Sequence, residues 1–209
     1  MPVAIQHLLF DADGVLQDAS THWQPALHSV LKLEDDAQAK SLVDDIFAAE
    51  TEVLTRPTGF VEQLQDVLAR WQRAGFLAET LEVLHAIEVH AEVMAVVQAV
   101  RQSGMPCHIG SNQQALRARR MSVDLNYQAL FDREFYSCFI GAAKPHAAFF
   151  EQVVAQLGCA AHEVLFLDDR AENVAGAAGA GLNAIAFRAT DGAASLRRQL
   201  AGFGVDIDH

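Results

Sequence analysis

The sequence has little positive charge and little cysteine. Its 209 residues include 15 Lys and Arg against 27 Asp and Glu, which gives a formal net charge of −12. Because a nucleic-acid partner calls for a basic face, this balance argues against one. The three cysteines, Cys107, Cys138 and Cys159, are far apart and lack metal-ligand spacing. They are typical of small core residues in a reducing compartment.

Long apolar runs and a basic N-terminal segment are absent too. No apolar run approaches the length of a membrane span, and the first apolar stretch is not preceded by the basic region of a signal peptide. We therefore expect a cytoplasmic protein without a membrane partner, either a monomer or a homodimer. With 51% apolar and 20% charged residues, the composition predicts one substantial core, or a core with a small insert.

The stretch 8–16 organises the rest of the chain. Its apolar run Leu8–Phe10 predicts a strand buried on both faces, as in a parallel sheet. Asp11 and Asp13 follow at once, and two carboxylates so close must be held by a cation or lose a charge when buried. The carboxyl end of a strand is where open α/β sheets bind ligands. A helix cap or an Asp-Gly turn is the alternative interpretation.

Two different periodic patterns follow this stretch along the sequence. Residues 21–76 have helical periodicity without strand runs, and a further helical pattern covers 89–102. From Met105 onward strands alternate with helices, which is typical of a parallel α/β sheet. The predicted strands are 106–109, 134–140, 164–167 and 183–187, and the predicted helices are 146–157, 173–180 and one around Leu196. The sequence thus predicts an α/β core with a helical insert after the first strand.

Polar residues stand at the end of each of the first four predicted strands. They are, in order, Asp11 with Asp13, Ser111 with Asn112, Lys144, and Asp168 with Asp169. Because parallel strands end at one edge of the sheet, we expect these groups to converge. Any single pair could merely cap a helix, and Lys144 could be a surface charge. Their joint occurrence favours a site.

The chemistry that these groups support is phosphoryl transfer. Asp11 is a competent nucleophile, and Asp13 could protonate the leaving oxygen and then deprotonate water. Each like-charge pair at about 4 Å costs roughly 4 kcal/mol at an effective dielectric near 20, so carboxylates and phosphate need a cation. Oxygen ligands point to Mg²⁺. Lys144 would add a second positive charge, while Ser111 and Asn112 would donate hydrogen bonds to phosphate.

The set Asp11-x-Asp13-Gly14-Val15, Ser111-Asn112, Lys144-Pro145 and Asp168-Asp169-x-x-x-Asn173 resembles the four signature motifs of the haloacid dehalogenase superfamily. Their order and spacing are similar to those of the subgroup with an α-helical C1 cap. The resemblance implies a Rossmann-like core at 1–17 and 90–209, a helical cap at 18–89, an aspartyl-phosphate intermediate and dependence on Mg²⁺.

By motif position, the resemblance assigns a role to each residue. Asp11 would be the nucleophile and Asp13 the acid and base. Ser111, Asn112 and Lys144 would contact phosphate. The metal would be held by Asp11, the backbone carbonyl of Asp13, and the pair Asp168 and Asp169. Asp169 is favoured as the direct ligand, with Asp168 a second ligand or an outer partner and Asn173 an orienting group.

Within the superfamily, the sequence favours a phosphatase acting on a small phosphorylated metabolite, similar to a sugar phosphate. The dehalogenases lack an aspartate at the position of Asp13, since displacing halide needs no acid. The phosphonate-cleaving members use a cap lysine, and the cap lysines here, Lys32 and Lys40, lie in a charged helical region. A phosphosugar mutase similar to β-phosphoglucomutase stays open, because mutases share all four motifs. A non-catalytic binding protein is a further alternative.

Specificity is expected to lie in the cap. The candidates are His22, Trp23, Arg56 and Thr58, with Gln17 and Asp18 at the hinge. Arg56 is a candidate contact for a second anionic group. The basic run Arg117, Arg119 and Arg120 is predicted to be a solvated helix face.

Overall fold

The centre of the protein is a parallel sheet of five strands. The computed structural model describes residues 4–33 and 35–205. Its strands are β1 His7–Phe10, β2 Gln17–Ala19, β3 Ile87–Val89, β4 Cys107–Ser111, β5 Arg133–Tyr136, β6 Val164–Asp168 and β7 Asn183–Ala186. The sheet has the order β5-β4-β1-β6-β7, with every neighbouring pair parallel. The predicted parallel α/β architecture is therefore confirmed.

Helices cover both faces of this sheet and form the segment between β2 and β3. They are α1 Trp23–Leu31, α2 Asp36–Val53, α3 Phe60–Arg70, α4 Leu77–Leu84, α5 Ala91–Gln102, α6 Ala115–Arg119, α7 Tyr127–Leu130, α8 Ser137–Ile140, α9 Ala147–Leu157, α10 Ala171–Gly179 and α11 Ala193–Gly202. A π-helix continues α6 over Arg120–Asp124. None of the helices in the described ranges is both long and apolar enough to span a bilayer.

The side chains of β1 point alternately to the two faces of the sheet, and each face packs in an apolar cluster of its own. Leu8 and Phe10 point to one face, where they pack in a cluster with residues of α5 and α11, including Val97. Leu9 points to the other face and packs with aromatic residues of α9 and β6, including Phe149. Leu8, Leu9 and Phe10 are all fully buried. Successive residues of a strand point to opposite faces, so a strand that is apolar throughout needs helices on both sides.

The strand order places a crevice at the end of β1. Phe10 is paired with Ile109 of β4 on one side and with Leu167 of β6 on the other. The chain therefore winds in opposite directions from β1, and in open sheets a ligand site lies at the carboxyl ends of the strands at such a reversal. Asp11 is the first residue beyond β1 at this point.

The segment between β2 and β3 has an apolar core of its own. Leu27, Ile46, Phe60 and Leu64 are buried in this cluster, which joins α1 to α4. The helical character predicted for 21–76 agrees with these helices. The predicted limits of core and cap, 1–17 with 90–209 and 18–89, stay predictions, and residues 1–3 and 206–209 lie outside the described residues.

The sequence analysis missed the two short strands at the base of this segment. Gln17 pairs with Val89 and Ala19 with Ile87, in an antiparallel ladder of three residues on each side. Runs this short carry no readable alternation, and their partners are far apart in sequence. The helix predicted from residue 89 therefore begins only at Ala91.

The predicted strand 134–140 is wrong in its second half. The strand β5 ends at Tyr136, and the next residues form the short helix α8, which ends at Gly141 in the left-handed region (φ 81°). The buried Ser137 hydroxyl accepts from the Gln113 backbone N–H (3.0 Å) and donates to the Leu54 carbonyl (2.7 Å). These tertiary contacts fix the turn, whereas a short apolar run by itself is ambiguous between strand and helix.

Close packing of α10 against the loop that carries Lys144 gives the first prediction. A Cβ built at Gly176 overlaps the carbonyl oxygen of Pro145, so Gly176→Ala must displace this loop. Overpacking of this kind costs about 1–3 kcal/mol. We expect a melting temperature lower by several degrees, since 1 kcal/mol corresponds to about 2–4 °C in a protein of this size.

Gly179→Ala in the same helix is the matched control. A Cβ there meets no atom within 4 Å, so this variant should melt at the wild-type temperature or slightly above it. Equal melting temperatures for the two variants in a thermal scan would contradict the packing argument.

Candidate active site

Asp11 lies buried at the carboxyl end of β1, 6% exposed. Its Oδ1 accepts a hydrogen bond from the backbone N–H of Ala12 (2.7 Å) and lies 2.8 Å from the Lys144 ammonium. Burial raises the pKa of Asp11 to about 7; Lys144 lowers it, and the carboxylates of Asp168 and Asp13 raise it. The nearby ammonium thus compensates only part of the cost of burying this charge.

Lys144 bridges two of the predicted carboxylates. Its side chain is 1% exposed, and the ammonium lies 2.8 Å from Asp11 Oδ1 and 2.6 Å from Asp168 Oδ2. Asn112 fixes the backbone at this residue: its Nδ2 donates to the Lys144 carbonyl, and the Lys144 N–H donates to its Oδ1, both at 2.9 Å. The Asn112 side chain therefore positions Lys144. Its predicted contact with phosphate stays a prediction.

The two aspartates after β6 have different environments. Asp168 is fully buried and accepts from the Lys144 ammonium, from Asn173 Nδ2 through both oxygens (3.0 Å each) and from the backbone of Arg170 (2.9 Å). Asp169 is 23% exposed, and its one ion pair among the described residues is with Arg188 Nε at 3.8 Å. Asp169 therefore has oxygens available for a metal, while those of Asp168 are engaged.

Gly14 lets the chain pass close to Asp169. Its φ is +82°, which favours glycine, and a Cβ built there would lie 2.7 Å from Asp169 Cγ. The glycine that follows the two predicted catalytic aspartates is therefore required for packing against the last motif.

Three carboxylates form a group that could hold a cation. One oxygen from each of Asp11, Asp168 and Asp169 lies within 4.8 Å of the other two. Burial and the Asp168 charge raise the pKa of Asp169 as well, and Arg188, Arg170 and Lys144 lower it less. An all-oxygen set with more negative than positive charge fits a hard divalent cation such as Mg²⁺. The Asp13 side chain lies outside this group.

Asp13 instead faces a network on the other side of the β1 end. Arg117 Nη2 donates to its Oδ1 (2.6 Å), Gln113 Nε2 donates to its Oδ2 (2.6 Å), and Gln17 Nε2 donates to its Oδ1 (3.1 Å). The carboxyl is still 41% exposed. Three donors hold one orientation of a group that stays open to a ligand.

The prediction of a solvated Arg117 is wrong. Its side chain is 9% exposed, because α6 turns this face towards Asp13, and its Nη1 donates to the carbonyl of Leu84 at the end of α4 (3.1 Å). Sequence reasoning also missed Gln113, whose Nε2 further contacts Ser111 Oγ at 3.3 Å. The one feature of the sequence that could have indicated a site role for Gln113 and Arg117 is that both closely follow Ser111 and Asn112.

The structure separates the predicted specificity residues. Trp23 and Asp18 line a cavity of about 360 Å³ that also contacts Asp13 and Asn112. Arg56 and Thr58 line a different hollow, with Arg119. Gln17 is buried between Asp13 and the hydroxyl of Tyr127, which donates to its Oε1 at 3.0 Å.

His22 precedes α1, where its backbone N–H contacts the Ser20 hydroxyl (3.4 Å). It does not line the cavity. Of the four predicted cap residues, the structure brings only Trp23 to the cavity that contacts Asp13.

Comparison with known proteins finds one family model, the haloacid dehalogenase-like hydrolases, which matches residues 5–181. A phosphatase of Mycobacterium tuberculosis (strain CDC 1551 / Oshkosh), MT3486, is 26% identical over 99% of this chain and 98% of its own length. The sesquiterpene phosphatase astK of Aspergillus oryzae is 30% identical over 54% of this chain, and the match spans 57% of that protein.

The fold is shared with solved structures. An enzyme of Bacteroides thetaiotaomicron, bt-2542, determined with magnesium and inorganic phosphate, superposes with a TM-score of 0.74. The two chains are 17% identical, and the match covers 92% of this chain and 99% of the other. At this identity the likeness concerns the fold alone.

The raised pKa of Asp11 predicts how stability depends on pH without a bound cation. A free aspartate ionises near pH 4, whereas Asp11 in the fold does so at about 7. The folded state therefore holds a proton that the unfolded chain has lost, and stability falls as the pH rises between these values. Asp11→Asn removes the buried charge and keeps an oxygen for the Ala12 N–H.

With a chelator present, Asp11→Asn should raise the melting temperature at about pH 8 by roughly 2 °C or more, and by about a third as much at about pH 5. The exposed Asp66→Asn on α3 is the control, with no such pH dependence expected. An equal shift for Asp11→Asn at both pH values would refute the burial argument.

Proposed function

The chain belongs to the haloacid dehalogenase-like hydrolase family, and on this basis we propose that it is a Mg²⁺-dependent phosphatase acting on a small phosphorylated metabolite through an aspartyl-phosphate. One observation carries the proposal. Asp11 is buried at the carboxyl end of β1, where it contacts Lys144 and lies close to Asp168 and Asp169. Asp13 lies two residues further along the chain and is held by a different side chain, that of Arg117. Nucleophile, charge compensation and proton carrier are thus distinct groups.

In the proposed reaction, an Asp11 carboxylate oxygen attacks phosphorus, and the bond from phosphorus to the leaving oxygen breaks. Asp13 gives its proton to this oxygen and later takes one from the water that hydrolyses the aspartyl-phosphate. Lys144 compensates the charge gathered at the site. A Mg²⁺ ion bound by Asp11 and Asp169, with Asp168 beside them, would neutralise phosphate charge.

Asp13 also supports a phosphatase over a dehalogenase. Halide leaves without a proton, so dehalogenation needs no acid two residues after the nucleophile, whereas an alkoxide does. Two relatives are named phosphatases, which agrees with this choice. A phosphosugar mutase would use the same core residues and stays an untested alternative. The cytoplasmic location and the monomeric or homodimeric state stay predictions.

The decisive experiment is phosphate release from phosphate esters with Mg²⁺ and with excess chelator. We expect release only with the metal, and a loss of at least about a thousandfold in kcat for Asp11→Asn, because a nucleophile has no substitute. Asp66→Asn serves again as the matched control. Release by Asp11→Asn at near wild-type rates would show that the nucleophile is another group.

The different environments of the last two aspartates predict different defects. Asp169→Asn removes a free ligand oxygen and should raise the Mg²⁺ concentration for half-maximal activity by about tenfold or more, without lowering the melting temperature. Asp168→Asn leaves Lys144 and Asn173 without a full acceptor, so it should lower the melting temperature too. Calorimetric Mg²⁺ titration and thermal scans separate the two. Identical behaviour would contradict the assignment of Asp169 as direct ligand.

A further inference from the structure

A cavity lies next to Asp13, between the core and the helices α1 to α4. Its volume is about 360 Å³, and Asp13 and Asn112 of the core form part of its wall. Since Asp13 is the proposed acid for the leaving oxygen, the body of the leaving group must extend into this cavity. The chemistry of its lining therefore selects the substrate.

The cap supplies a lining of apolar side chains. They come from α1, α2, α3 and α4 and are Trp23, Ile46, Phe47, Phe60, Val83 and Leu84. Aromatic and branched side chains bind ligand surface by excluding water, and they discriminate against hydroxyl groups, which would lose hydrogen bonds to water.

The polar groups of the lining are mostly engaged with the protein. Arg117 donates to Asp13 and to the Leu84 carbonyl. Gln113 donates to Asp13 and contacts Ser111. These bonds engage two of the five Arg117 N–H groups and the amide nitrogen of Gln113.

The remaining polar side chains repeat this pattern. Gln114 lies 3.0 Å from His85 Nε2 and accepts from the backbone of Leu116 (2.7 Å). Asp18 lies 2.9 Å from His90 Nε2 and accepts from the Gly14 N–H. Within the described residues, Glu50 is the lining carboxyl without a hydrogen bond. Each of these polar side chains except Glu50 thus has a partner in the protein, whereas the six apolar side chains of the lining are available to the surface of a ligand.

We propose that the substrate is a phosphate monoester of an apolar alcohol or phenol rather than a sugar phosphate. This inference rests on the proposed phosphatase reaction. The volume of about 360 Å³ accommodates about 12 non-hydrogen atoms of the leaving group, taking about 30 Å³ for each.

A homologous series of n-alkyl phosphates from ethyl to octyl tests the inference. With Mg²⁺ present, kcat/KM should rise about threefold or more per added methylene. Glycerol phosphate and glucose 6-phosphate are similar in size to members of the alkyl series but carry several hydroxyl groups. They should react no faster than ethyl phosphate. Acetyl phosphate, too small to fill the cavity, reports the chemistry alone.

Val83→Thr places a hydroxyl in the lining without changing its volume. It should flatten the rise of kcat/KM with chain length. Val43→Thr, in a half-buried position of α2 that lines a different hollow, is the matched control and should keep the wild-type slope. If Val83→Thr does not fold, Val83→Ala enlarges the cavity and should increase the preference for longer chains.

The outcomes separate the two proposals. Acetyl phosphate turnover with sugar phosphates preferred over alkyl phosphates would overturn the apolar leaving group and leave the phosphatase intact. An alkyl preference that Val83→Thr and Val83→Ala leave unchanged would overturn the cavity as its binding site. No turnover of any phosphate, acetyl phosphate included, would overturn the proposed function itself.

Discussion

The charged groups of the site depend on one buried ammonium, that of Lys144. It lies within 2.8 Å of Asp11 and 2.6 Å of Asp168, in a place from which water is almost excluded. Its position is set from behind by the Asn112 amide and by the tight contact of Pro145 with Gly176. Without it, two buried carboxylates would face each other uncompensated, at a cost of several kcal/mol per ion.

One ammonium does not balance three carboxylates. Burial is the main cause of the raised pKa of Asp11 and of Asp169, and the negative charge of the neighbouring Asp168 raises both further. A fold that retains such an excess is less stable without a cation than with one, since binding to the folded state alone stabilises it. The same excess of negative charge would favour the binding of a divalent ion.

The second constraint is the tie between Asp13 and the cap. Arg117 holds the carboxyl of Asp13 and the last carbonyl of α4 with one guanidinium. The planar fork of an arginine makes such a double contact directional. Arg117 therefore links the proposed acid to α4, which contributes Val83 to the apolar lining.

The sequence by itself determined the parallel α/β core, the helical segment after the first strand and the group of polar strand ends. Apolar runs and chain order are local properties, and parallel strands must end at one edge. Tertiary structure alone decided the β2–β3 ladder, the turn at Ser137, the hydrogen-bond partners of Asp168 and the burial of Arg117. Each depends on which distant atoms come within hydrogen-bonding distance, and a periodic pattern carries no record of such partners.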